Sequence, residues 1–262
     1  MALTEAQRQE AAEKLADAER TRTAIDRLTD TYEGITVADA YDIQLRQIAA
    51  KKAAGATVIG KKIGLTGKAI QQQFGVSQPD YGHLMDYFRF ESGGEVKCSE
   101  LIQPRVEPEI AFVLDKPLKG PGVNVAQVLA ATKYVTPAFE IIDSRIKEWK
   151  FKYEDTVADN GSSARVVAGN LTKRVDELDL RLVGMVFMKN GEDIGTSSGA
   201  AALGNPAAAV AWLANALAEY DISLEAGEFI MPGALTASFT AAPGDVFQAD
   251  YDGLGSVNVR FV

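Results

Sequence analysis

Three glutamates stand where a folding chain ordinarily places apolar side chains. In QPRVEPEIAF, residues 103–112, Glu107 and Glu109 alternate with Val106, Pro108 and Ile110. A strand sends residues i and i+2 to the same face, so both carboxylates project to one side while Val106, Ile110 and Phe112 pack elsewhere. Glu140 lies in a second apolar run, Ala138-Phe139-Glu140-Ile141-Ile142. A buried carboxylate is costly, and neighbouring ones repel unless something positive sits between them. Together, Glu107, Glu109 and Glu140 would make an all-oxygen site for a hard divalent cation, Mg2+ or Mn2+, with positions left for water or substrate.

Other chemistries are poorly served. The single histidine, His83, removes histidine-rich zinc sites, and no nucleophile-elbow motif lies near it to support a serine–histidine hydrolase. The single cysteine, Cys98, excludes an internal disulfide and a thiolate metal cluster, which agrees with a reducing compartment. A net charge of −9 with no compensating basic patch argues against nucleic acid or an anionic membrane as partner. A small anionic substrate therefore needs a local positive centre built against the overall field. No run is read as a membrane span, and MALTEAQRQEAAEK lacks the order of a signal peptide, so the expected location is cytoplasmic.

These side chains need a scaffold, and the chain reads as two parts. Residues 4–29 and 37–54 carry apolar residues at helical spacing, with Gly55 as a stop, so residues 1–57 are expected to form a helical subdomain. From residue 58 to 262, short β-like runs dominate, separated by turns such as Lys189-Asn190-Gly191 and Pro243-Gly244-Asp245. Two helices interrupt them, over residues 123–135 and from Asn205 as N-cap, with Pro206 at the first position, to Tyr220. Few strands alternate with helices in βαβ order, which predicts an α+β fold around a rolled, mostly antiparallel β-sheet core.

GKKIGLT at 60–66, QPDYG at 78–82, PRVEPEI at 104–110, FEIIDSRI at 139–146 and DTVADNGSS at 155–163 occur in that order. With them the chain resembles the fumarylacetoacetate hydrolase superfamily, in its branch of 2-oxopent-4-enoate hydratases and 4-oxalocrotonate decarboxylases of aromatic meta-cleavage pathways. The resemblance runs nearly the whole length. It implies a metal-binding set at Glu107, Glu109 and Glu140, an active-site lysine at Lys62, and substrate contacts at Leu65, Ser162, Arg165 and Thr236. It also implies a small 2-oxo or 2-hydroxy-dienoate acid as substrate, a homo-oligomer, and association with a pathway hydratase or decarboxylase. Lys61 would point away from Lys62 if the run is extended.

Hydratase and decarboxylase differ in what surrounds the far end of the substrate. A hydratase must place water for addition at C4, a task for a carboxylate base, whereas a decarboxylase needs apolar surroundings for the departing carboxylate. The resemblance implies an aspartate at two positions in the hydratases, and this chain has Asp80 and Asp155 there. Arg165 points the other way, toward a decarboxylase or toward a dicarboxylic substrate. The expected activity is thus hydration of 2-hydroxypenta-2,4-dienoate or a close homologue, with 2-oxo-3-hexenedioate decarboxylation as the alternative.

Overall fold

The computed structural model describes residues 2–67, 71, 76 and 78–262. Helix α1, Glu5–Thr21, opens on a capping box in which Thr4 and Gln7 satisfy each other's backbone N–H groups. It ends at Arg22, in the left-handed region, so the helix expected over 4–29 stops early. The chain then runs extended, with the Ile25 N–H on the Arg145 carbonyl, before the short α2, Leu28–Thr31. Helix α3, Val37–Ala53, has its own capping box from Thr36 and Asp39. Leu15 of α1 and Ile43 of α3 enter the same continuous core as the strands that follow.

Those strands form two sheets, mostly antiparallel. In the first, β1 (Val58–Gly64) lies between β2 (Asp80–Met85) and β10 (Phe229–Met231), followed by β5 (Arg105–Leu114), β6 (Thr132–Ile142), β7 (Ser163–Ala168) and β3 (Arg89–Glu91). The two-residue β11, Phe239–Thr240, pairs with the start of β5. The second sheet runs β4 (Gly94–Val96), β13 (Gly255–Phe261), β12 (Val246–Tyr251), β8 (Gly184–Lys189) and β9 (Glu192–Ser198). The β1–β10, β3–β7 and β4–β13 pairs are the parallel ones. Phe139 of β6 meets Phe187 of β8 with ring centroids 5.6 Å apart, and Phe187 in turn meets Phe247, so aromatic side chains join the sheets.

The helix expected over 123–135 is shorter. Helix α4 covers Val125–Ala131, and the β-favouring run Thr132, Tyr134, Val135, Thr136 passes directly into β6. Helix α5, Tyr153–Ala158, carries part of the DTVADNGSS motif and has no counterpart in the periodicity. Helix α6, Pro206–Leu217, starts as expected, with the Asn205 side chain accepting from the Ala207 N–H. Within residues 199–220 an 18-residue window reaches a mean hydropathy of 1.2, enough by length and composition alone to cross a membrane. In the fold its helical part is α6, a core helix with Val210, Leu213 and Leu217 fully buried.

Candidate active site

The β5–β6 register places Glu107 directly opposite Glu140, with Glu109 one step further along β5 on the same face. The three side chains each offer an oxygen within 4.8 Å of the others. Glu109 Oε2 accepts the Gly233 N–H at 2.7 Å, whereas Glu109 Oε1 and both oxygens of Glu140 are buried without a hydrogen-bond partner among the described residues. Buried acceptors left without donors are expensive, and a cation is the partner that several carboxylate oxygens share. The residues present fit a divalent metal ion.

Charge balance supports that fit. Burial, reinforced by Glu140, pushes the Glu107 carboxyl up to about 7. Burial, then Glu140 and Glu107, raises Glu109 as well; Glu140 is raised by burial and partly relieved by Lys62. Lys62 on β1 brings its Nζ to 3.4 Å from Glu140 Oε2. Burial alone would lower this ammonium, but Glu140 and Asp80 outweigh it and hold Lys62 above its ordinary value. One lysine does not neutralise four adjacent carboxylates. Lys61, one residue earlier, points the other way and pairs with Glu228 at 2.5 Å.

Asp80 begins β2, across from Gly64 of β1. Its Oδ2 accepts from the Thr156 hydroxyl at 3.2 Å, and its Oδ1 is buried with no partner among the described residues. A Cβ at position 64 would lie 2.2 Å from that Oδ1, so glycine leaves the aspartate its room. The Tyr153 hydroxyl donates to the Pro79 carbonyl at 2.8 Å, fixing the chain just before Asp80.

Lys62, Asp80 and Glu107 line one cavity of about 330 Å3. Leu65 and Ser162 line it too, both with left-handed backbone, φ 57°. Asn160, Gly161 and Ser162 make a left-handed turn, and a Cβ at Gly161 would stand 2.9 Å from Lys62 Cε. The turn therefore forms the wall against which the lysine lies. It is tied down from behind: Asp159 takes the Arg145 guanidinium and the Ser162 hydroxyl, and Asn160 accepts from the His83 N–H while donating to its carbonyl. Asp143 accepts from the Ile102 and Gln103 N–H groups at the entrance to β5. So the parts of FEIIDSRI and DTVADNGSS that do not face the cavity form the frame around it.

Three expected site residues lie elsewhere. Asp155 is fully buried, its carboxylate accepting from the Thr29 N–H and hydroxyl, both at 2.9 Å, and from the Lys152 N–H at 2.8 Å. It caps α5 and fastens α2, because the helical turn that follows the cap directs Thr156, and not Asp155, to the cavity. Arg165 lies in a different cleft beside Glu100, at 3.5 Å, and the Phe88 ring. On β7 it projects away from the face that Glu140 shares. The Thr236 hydroxyl donates to the Ala237 carbonyl and is not among the residues lining the cavity.

The cavity instead holds Arg105, Trp149, Phe151 and Ser238. Arg105 had a signal in the sequence, since the same period-two rule that pairs Glu107 with Glu109 puts it on their face. Trp149 and Phe151 stand in KEWKFKY, a charged loop with aromatics at alternate positions. Ser238 had no signal, as β11 is only two residues long.

Residues 89–262 match the family model described as fumarylacetoacetate (FAA) hydrolase C-terminal. The chain belongs to this family. Among fumarylacetoacetate hydrolase relatives, it is 47% identical over 251 residues to a 4-oxalocrotonate decarboxylase of Pseudomonas sp. (strain CF600), covering 96% of this chain and 95% of that protein. It is 46% identical over 251 residues to a 2-hydroxyhexa-2,4-dienoate hydratase of Comamonas testosteroni, covering 95% of each. In structure it is similar to a 4-oxalocrotonate decarboxylase from Pseudomonas putida G7 complexed with magnesium and adipate, with a TM-score of 0.97, 45% identity and 99% of each chain covered. Relatives named for both activities thus stand at similar identity.

Proposed function

We propose that this chain is a divalent-metal-dependent hydratase that converts 2-hydroxypenta-2,4-dienoate, or a close homologue, into a 4-hydroxy-2-oxo acid in aromatic meta-cleavage catabolism. Asp80 carries the proposal: a buried carboxylate with one unpartnered oxygen, in the same cavity as Lys62 and Glu107, the first of the three clustered glutamates. Curated hydratases at 39–51% identity act on substrates of this class, and complexes of relatives with magnesium, calcium and manganese support Mg2+ or Mn2+ at the glutamates.

A cation held by Glu107, Glu109 and Glu140 supplies positive charge for the substrate's C1 carboxylate and C2 oxygen. Lys62 adds a fixed, water-excluded ammonium where electron density gathers on that oxygen. Net hydration takes one water: C5 and C3 each gain a proton, C4 gains hydroxyl, and the C2 hydroxyl becomes a carbonyl. Asp80 is the base placed to receive the water's proton and return it to the carbon chain, while Thr156 steadies its second oxygen. Ile142 and Phe151 offer the intervening carbons an apolar wall.

The alternative is release of CO2 from 2-oxo-3-hexenedioate. Incubating the Mg2+-loaded protein with each substrate, and measuring 4-hydroxy-2-oxo acid and CO2 in the same samples, separates the two. Hydration is expected to dominate. Rapid CO2 release with no hydration of the dienol would replace hydratase by decarboxylase.

A further inference from the structure

We propose that Arg105 receives a second carboxylate at the far end of the substrate, so that among the homologues the proposed hydration admits the site favours a dicarboxylate of six or seven carbons over the five-carbon mono-acid. The inference rests on the proposed binding of the near end, C1 and C2, at the glutamates. Arg105 stands two residues before Glu107 on β5 and on the same face, one period-two step of about 7 Å along the strand. Both side chains line the same cavity. A six- or seven-carbon chain covers that span, whereas a five-carbon mono-acid leaves the guanidinium facing no charge.

The guanidinium is also held ready. Its Nε donates to Ser238 Oγ at 2.8 Å and its Nη2 to the Ser238 carbonyl at 2.7 Å, with the Trp149 ring 5.6 Å from Cζ. Nη1 makes no hydrogen bond among the described residues, and Arg105 forms no ion pair with any described carboxylate, although the protein carries an excess of acids. A half-buried, immobilised arginine with no described carboxylate at ion-pair distance, its charge reaching Glu107 only at longer range, is suited to a carboxylate brought in by a ligand. Arg165, to which the sequence pattern gave this task, is engaged in another cleft. Pairing with Arg105 stabilises a carboxylate relative to CO2, so this far end agrees with a reaction that keeps it.

Calorimetric titration of the Mg2+-loaded protein with 2-oxoadipate and with 2-oxohexanoate tests the assignment, because neither has a double bond to hydrate and they differ only in the far carboxylate. The expected result is tighter binding of 2-oxoadipate by ~10-fold or more, as for a charge-assisted pair. Arg105→Met should bring 2-oxoadipate down to the level of 2-oxohexanoate and leave the latter unchanged, with Arg105→Lys in between. Equal affinities in the wild type, or an equal loss of both in Arg105→Met, would overturn the assignment, and the wild-type ratio decides should the variants not fold. If the ratio holds but no dienoate is hydrated, the proposed reaction fails and the far-end assignment stands. If hydration holds and the ratio is one, the reverse is true. Binding of neither acid overturns both.

Discussion

Glu107 and Glu140 face each other in register across β5 and β6, two carboxylates directly opposed on a buried face with Lys62 reaching only one of them. Like charges opposed across a sheet are destabilising, so the pair marks a place where the fold gives up stability for a ligand. Removing one of the two should therefore remove the ligand and leave the fold. Glu140→Gln is expected to weaken Mg2+ or Mn2+ binding by ~100-fold or more and to abolish activity, with an unchanged circular dichroism spectrum. Full activity of wild-type protein after exhaustive EDTA treatment would dismiss the metal site.

The same carboxylates set a pH dependence. Burial first, then Glu140, lifts Glu107 from its ordinary 4.5 to about 7 in the metal-free protein. Between those values the folded state holds a proton that the unfolded chain has released. This contribution to stability is accordingly present below pH 4.5 and is lost as pH rises toward 7. A cation needs the ionised form, so binding should release protons near pH 6 and raise the melting temperature more at pH 7.5 than at pH 5. A metal-induced shift that is the same at both pH values would count against coupled glutamates.

Lys62 is expected to act on charge that develops during reaction more than on binding of the ground state. Lys62→Met should lower kcat by ~10²-fold or more while KM changes little. Gly161→Ala would place a methyl 2.9 Å from Lys62 Cε and should reproduce part of that loss without touching a charge. An unchanged kcat in Lys62→Met would make the lysine a bystander.

How much of this was legible from the chain depends on the range of the interaction involved. Glu107, Glu109 and Glu140 could be found because strand alternation is local and charge in an apolar run is conspicuous. Arg105 obeys the same alternation, but an arginine beside a proline looks like ordinary surface until Ser238, 133 residues away, is seen to hold it. Asp155 failed for a related reason. Its partner Thr29 lies 126 residues distant in a segment that α1 leaves only because Arg22 turns left-handed. Arg165 was on the wrong face of β7: it pairs with Ile141, one step off the Glu140–Val166 pair, and the sequence does not show that register. The rolled antiparallel core was accessible from its turns, whereas the short α5 was not, since six residues carry too little periodicity.

For Asp155 the expected signature is therefore stability. Asp155→Asn keeps the shape but weakens the acceptance of three donors from α2 and the start of α5. It should cost about 1–2 kcal/mol in urea unfolding while kcat/KM at a permissive temperature stays within a factor of two or three. A large fall in kcat with normal stability would return Asp155 to the reacting groups.

Asp80 gives the opposite expectation and the sharpest test of the chemistry. Its Oδ1 is buried without a partner and faces the cavity, so it bears little on the fold and much on what enters. Asp80→Asn retains the shape and the Thr156 contact but loses the base. If Asp80 receives the proton from water, hydration at C4 should fall by ~10² to 10⁴-fold. Proton exchange at the substrate's far carbon, which precedes water attack and draws on the positive charge at the other end, should persist. In deuterated water the variant should then accumulate label at that carbon without forming the 4-hydroxy product. If hydration and exchange instead fall together, Asp80 serves both proton transfers. If neither falls, water is activated elsewhere in the cavity and the assignment of Asp80 as base is wrong.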